Sequence, residues 1–183
     1  MSKIHKALTT GPQHRLMSGF ACLSFLVSLG LSGCADAPAP APRATPAFYQ
    51  GLDSSSARID PAAARDMISI YRAGKGLPTL TIDPGLQRAA EDQARAMAAA
   101  ASPDGNLKGG LKARLAAAQI KRDVAVENVS AGYHTLAEAF SGWRQSPPHN
   151  SNMLNPKAKR MGIATAYAPG SKYKVFWALV LTD

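Results

Sequence analysis

The sequence predicts an α+β domain, with helices packed on a small, mostly antiparallel sheet. Three observations carry this. Asp60-Pro61 and Asp83-Pro84 each open an apolar pattern of helical period. Thr135 and Glu138 stand at capping-box spacing ahead of Leu136, Phe140 and Trp143. Two apolar, β-rich runs, Met161–Ala168 and Tyr173–Leu181, flank Pro169-Gly170-Ser171-Lys172, which is a hairpin by pattern.

The elements follow in order. Asp60 can cap the free N–H groups of a first helix, and Pro61 fits its first position. Met67, Ile70 and Tyr71 follow at helical spacing as its apolar residues, and Gly74 can close it. The link from Gly74 to Ile82 carries Leu77-Pro78 and a short extended piece. A second helix begins at Asp83-Pro84 and shows Leu86, Ala89, Ala90, Ala94 and Met97 on one face. Residues 101–110 form a Gly/Pro/Asp-rich loop, Leu111–Ala118 a third helix, and Val124–Val129 a strand. Phe140 and Trp143, at helical spacing, read as core, and Ser146 as the cap of a short turn over Pro147–Leu154. Aromatic residues make up only 7% of the chain, so the core must rely on close packing of small helical faces.

Composition bounds the rest. With 183 residues, 46% hydrophobic and 18% charged, the chain holds one ordinary domain plus appendages and is not disordered by composition. The formal charge is +9, of which Lys3, Lys6 and Arg15 lie ahead of the first acid. Beyond residue 33 a net +6 remains, which suits an anionic surface or simple solubility. No basic run interleaved with aromatics supports nucleic acid as a partner. Lys157, Lys159 and Arg160 read as a solvated basic cluster.

The first residues read as an export signal. Residues 1–15 are basic, and Met17–Leu31 is an apolar run of signal-peptide length, short for a stable membrane span. It ends in Leu31-Ser32-Gly33-Cys34, which resembles the bacterial lipobox, whose cysteine takes a lipid. Several acyl chains anchor a protein stably where one does not. Residues 35–47 alternate Ala and Pro and prefer extended polyproline II. Cys22 and Cys34 are the two cysteines, so no disulfide is expected in the domain. The expected organisation is a lipoprotein signal peptide over 1–33, a lipidated Cys34 and linker over 34–58, and a domain over 59–183. Such a protein is exported and membrane-anchored, on the periplasmic side or in the outer membrane of a Gram-negative-type envelope. Ala35, rather than an acid, directly after the cysteine favours the outer membrane.

Two segments carry a family resemblance. Glu127-Asn128 and the glycine at Gly132 resemble the "ENxxxG" segment of the bacterial CAP superfamily, the SCP-like extracellular domains. Trp143 through Leu154, with Ser146-Pro147, His149, Asn152 and Met153, resembles that family's "W-x-x-S-P-x-H-x-x-N-M-L" motif. Gly76–Leu80, Met161–Ala164 and the Trp177 strand fit the flanking elements, so the resemblance covers residues 63–182. It implies an α-β-α sandwich, and a cleft lined by two His and one or two acids that in some members binds a divalent metal.

Glu127 and His149 match one Glu and one His of that cleft, but the loop expected to hold the other His reads Ala100 to Gly105. Two donors fall short of the three or more of a zinc site. Asp104 or His134 could add one, without motif support. No cofactor is therefore expected, and Glu127 with His149 remain weak metal candidates. The two could instead act as base and acid on a bound water, shape a ligand cleft, or tie strand to helix as a buried polar pair. No nucleophile motif is present, and no catalytic residue is singled out. Asn128, Tyr133 and His134 are the further cleft candidates, Asn128 and Asn152 also reading as partners for backbone groups. The expected function is a non-catalytic binding module for a lipid-like or cell-envelope ligand; a hydrolase and a structural envelope protein are the alternatives. Oligomeric state is left open.

Overall fold

The computed structural model describes residues 44–183. The export segment, Cys34 and most of the Pro/Ala stretch lie outside the described residues. Both Asp-Pro pairs start helices: α1 runs Pro61–Ala73 and α2 Pro84–Ala100. The Asp60 carboxylate accepts from the Ala62 and Ala63 N–H groups, and Asp83 from those of Gly85 and Leu86. Between the helices lies a two-residue strand, β1 (Thr81–Ile82). Then come α3 (Gly110–Ala117), β2 (Ala125–Ala131), α4 (Leu136–Gln145) and α5 (Pro147–Met153). The capping box forms, with Thr135 and Glu138 each bonding the other's backbone. The hairpin closes the chain as β3 (Arg160–Ala168) and β4 (Lys174–Thr182).

Among the described residues the strands form one sheet in the order β1-β3-β4-β2. Only the β1–β3 pairing is parallel. The period of two along β4 divides the core. Val175, Trp177, Leu179 and Leu181 face α1, α4 and α5, whereas Phe176, Ala178 and Val180 face α2. Layers on both faces make the α-β-α sandwich. On the α2 side a Cβ at Gly162 would lie 2.2 Å from the Leu86 carbonyl carbon, so α2 rests its backbone directly on β3. On the other side Trp143 and Trp177 meet edge to face at 6.0 Å. Their indole N–H groups donate to Ser130 Oγ and the Tyr133 carbonyl, which keeps both rings satisfied in the core.

Four expectations change. Ile70 is 74% exposed, because it lies two residues, about 200°, around the helix from buried Ile68; the buried face of α1 is Ala64, Ile68, Ser69 and Arg72. Gly74 caps α1 in right-handed geometry, and Gly76, at φ +73°, takes the left-handed turn. Arg160 is not a solvated charge: it donates to Asp83, to the Lys121 carbonyl and to the Asp183 carbonyl, tying the start of α2 to the end of the sheet. Packed structure also begins ahead of residue 59, since Leu52 is buried in the core and its N–H donates to the His134 carbonyl.

Candidate functional site

The motif residues surround β2, an edge strand. Its side chains alternate: Glu127 points toward α3 and Asn128 toward α5. The Glu127 carboxylate accepts from Arg114 at 2.6 Å, and both side chains are more than nine-tenths buried. Arg114 also donates to the Gly105 and Leu107 carbonyls, so the loop after α2 closes over the pair. Burial pushes the Glu127 carboxyl above its usual range, while Arg114 pulls it back down.

His149 lies on α5, across the strand from that pair. Its carbonyl accepts from Asn128 Nδ2 at 3.0 Å. Asn152, one turn on, donates to Asn128 Oδ1 and to the Glu127 carbonyl. The polar motif residues of α5 therefore close the outer edge of β2, an edge that would otherwise offer unpaired backbone groups. Burial lowers the His149 pKa, with a weaker opposing pull from the Val129 backbone. The Glu127 carboxylate has Arg114, not His149, as its ion-pair partner.

The other candidates are placed elsewhere. Tyr133 packs its phenol against α4, where a Cβ at Gly142 would fall 2.0 Å from the hydroxyl oxygen. His134 is half exposed, 3.8 Å from Asp53. Asp104 accepts from the Asn106 N–H in a turn. Ser146 occupies the cap position of α5 but makes no side-chain capping bond. Among the described residues no group of three His, Cys, Asp or Glu comes together as a metal cradle. No described helix is long and apolar enough to cross a membrane.

Two features were missed in the sequence. Arg114 sits on the same helical face as Leu111 and Leu115, and an arginine on an apolar stripe signals a buried partner. The second is an apolar depression of about 600 Å³ formed by α1, α4 and the turn at Ala47–Tyr49. Phe48, Ala63, Met67, Ile70, Tyr71 and Phe140 line it, with Asp66 at its rim. The Tyr71 and Phe140 rings meet edge to face at 5.5 Å, and the Tyr71 hydroxyl donates to Asn150 of α5. Met67, Ile70 and Tyr71, the apolar residues at helical spacing in α1, thus line an open groove.

Comparison with known proteins places this geometry. The model of the cysteine-rich secretory protein family, CAP, matches residues 65–181. No curated protein sequence matches the chain. Among solved structures, an extracellular protein containing an SCP domain from Bacillus anthracis is similar over 67% of this chain and 40% of its own, at 24% identity and a TM-score of 0.58. A cysteine-rich secretory protein from Staphylococcus aureus is similar over 67% of this chain and 37% of its own, at 18% identity and a TM-score of 0.55. An outer surface protein from Borrelia burgdorferi is similar over 73% of this chain and 98% of its own, at 17% identity and a TM-score of 0.61. The chain therefore spans about two fifths of the length of the first two, and likeness at these identities concerns the fold.

Proposed function

Because the chain belongs to the cysteine-rich secretory protein (CAP) family, we propose that it is an exported, lipid-anchored envelope protein whose domain binds a lipid-like ligand without catalysing a reaction on it. The observation that carries the reading is the groove between α1 and α4. Its volume, about 600 Å³, is that of a small-molecule site, and its lining is almost wholly apolar. Ile70 in its wall is 74% exposed, and Tyr49, at 60%, extends the apolar surface beyond it. A flexible apolar chain gains from such a surface without any residue doing chemistry. Export and acylation at Cys34 rest on the basic start, the apolar run and the Leu31–Cys34 pattern. Glu127 and His149 take structural parts in this reading, closing the α3 side and the outer edge of β2.

The test is titration of the full chain with a fluorescent fatty acid. Ile70→Asp and Met67→Asp should each weaken binding by about tenfold, the loss of one apolar contact, with melting temperature nearly unchanged for exposed Ile70 and lowered for Met67, which packs against the core. Glu127→Gln should leave binding as it is. Binding that survives both groove variants, or that is lost in Glu127→Gln at unchanged fold, removes the groove from consideration.

A further inference from the structure

We infer that the free edge of β3 is a strand-accepting site for an extended peptide carrying a carboxylate. Strand β1 covers only Arg160 and Met161 of β3. The Asp83 N–H donates to the Met161 carbonyl, and the next outward-facing residue, Ile163, is closed by a side chain. Gln87 accepts from the Ile163 N–H at 3.1 Å and donates to its carbonyl at 2.8 Å, imitating one residue of a neighbouring strand. Backbone groups alternate in direction along a strand, so those of Thr165 and Tyr167 point to the same side. Among the described residues none bonds the N–H or C=O of either. Four successive ladder groups thus stand open beside a strand whose other edge is fully paired with β4.

The open stretch lies on the floor of a groove. Leu52, Ser55, Ala57 and Arg58 stand along one wall, and Glu91 and Arg95, one and two turns beyond Gln87 on α2, along the other. Two adjoining hollows of about 300 and 380 Å³ share Arg58, Arg95 and Thr165. The ladder selects an extended backbone, since only a strand satisfies donors and acceptors at this repeat. The charge selects the side chains. Arg58 spends one nitrogen on the Ser55 and Ala57 carbonyls, and Arg95 forms an exposed ion pair with Asp92. Glu91, the carboxylate lining the groove, already accepts from Gln87. Of the two arginines in the lining, Arg58 pairs with no described carboxylate and is the cation left for an acidic residue or a C-terminal carboxylate of the occupant.

The experiment uses the full chain and a heptapeptide alternating Thr and Val, N-terminally capped and ending in Asp. Amide hydrogen exchange at Thr165 and Tyr167 should be fast in the free protein and slow in the presence of peptide. Two further peptides carry N-methyl groups on odd or on even residues. Since one side of a strand faces the edge, one of them should lose binding and the other should keep it. The variant Arg58→Glu should weaken binding by about fivefold, as one exposed charge contact allows. Unchanged exchange at the two amides, or equal binding of both N-methyl peptides, overturns the inference. Protection of the same amides by self-association, with no response to peptide, overturns it in favour of a second copy of the chain.

Discussion

Arg72, near the end of α1, and Arg114, in α3, are both buried, but Arg114 meets a carboxylate and Arg72 meets only carbonyls. Arg72 is wholly inaccessible and donates to the carbonyls of Pro78, Met153, Asn155 and Ala158. Burial accordingly lowers its pKa. Arg114 shares its donors between Glu127 and two carbonyls of the loop after α2. The first arginine ties together chain ends some eighty residues apart, the link after α1 and the loop after α5. The second holds a local loop against one strand. A planar guanidinium with five donors can do either, and the geometry of the acceptors decides which.

The sharpest way to break this comparison is Arg72→Ala. It removes four charge-assisted bonds and strands several buried carbonyls in the core, so a loss of about 4 kcal/mol or more is expected. Arg72→Lys should recover less than half, because an ammonium cannot reach four acceptors arranged around a plane. Chemical denaturation of the full chain measures both. A loss below about 1 kcal/mol for Arg72→Ala would mean that water replaces the guanidinium, and that the knot is not what joins α1 to α5.

Glu127→Ala comes next, at about 3 kcal/mol, since it leaves Arg114 buried with carbonyls alone. Glu127→Gln should cost less, because the amide oxygen still accepts from Arg114. If Glu127→Ala were harmless while Arg72→Ala unfolded the domain, the contrast would widen: a carbonyl cage alone would suffice for Arg114. If both cost the same, the carboxylate counts for as much as the long-range knot.

Much of this fold was legible because its punctuation is local. Asp60-Pro61, Asp83-Pro84 and the Thr135–Glu138 box carry their caps with them, and the apolar runs of β3 and β4 differ from helices in period. The three-layer arrangement came from the motif resemblance, not from pattern. The site was less legible. That Glu127 and Asn128 face opposite ways follows from a period of two, but which face α5 covers does not. Arg72 and Arg114 lie on apolar stripes, a sign of burial, yet Arg72's acceptors at 153–158 are main-chain groups that no sequence pattern announces. That Ile70 stands in the wall of an open groove is not legible either, because helical spacing alone cannot tell such a residue from a core one.

The smallest expected effect concerns the edge of β2, the region the two arginines flank. His149 has its pKa lowered by burial, so the folded chain protonates it at a lower pH than the unfolded chain, for which the value is about 6.5. Between those two values the unfolded state holds more protons. Stability therefore falls as pH drops through that window, and the full contribution of neutral His149 is present above it. His149→Gln cannot titrate, and it keeps the backbone carbonyl that accepts from Asn128. Unfolding free energy measured from about pH 8 to pH 5 should thus fall less steeply in the variant than in the parent chain. Glu127 and every other carboxylate are common to both proteins, so the difference in slope isolates the imidazole. Parallel slopes would show that the pull of the Val129 backbone offsets the burial of His149, so that the imidazole titrates alike in both states. The imidazole would then add no pH dependence, and what His149 gives the edge of β2 at every pH would be the carbonyl that accepts from Asn128, beside the bonds of Asn152.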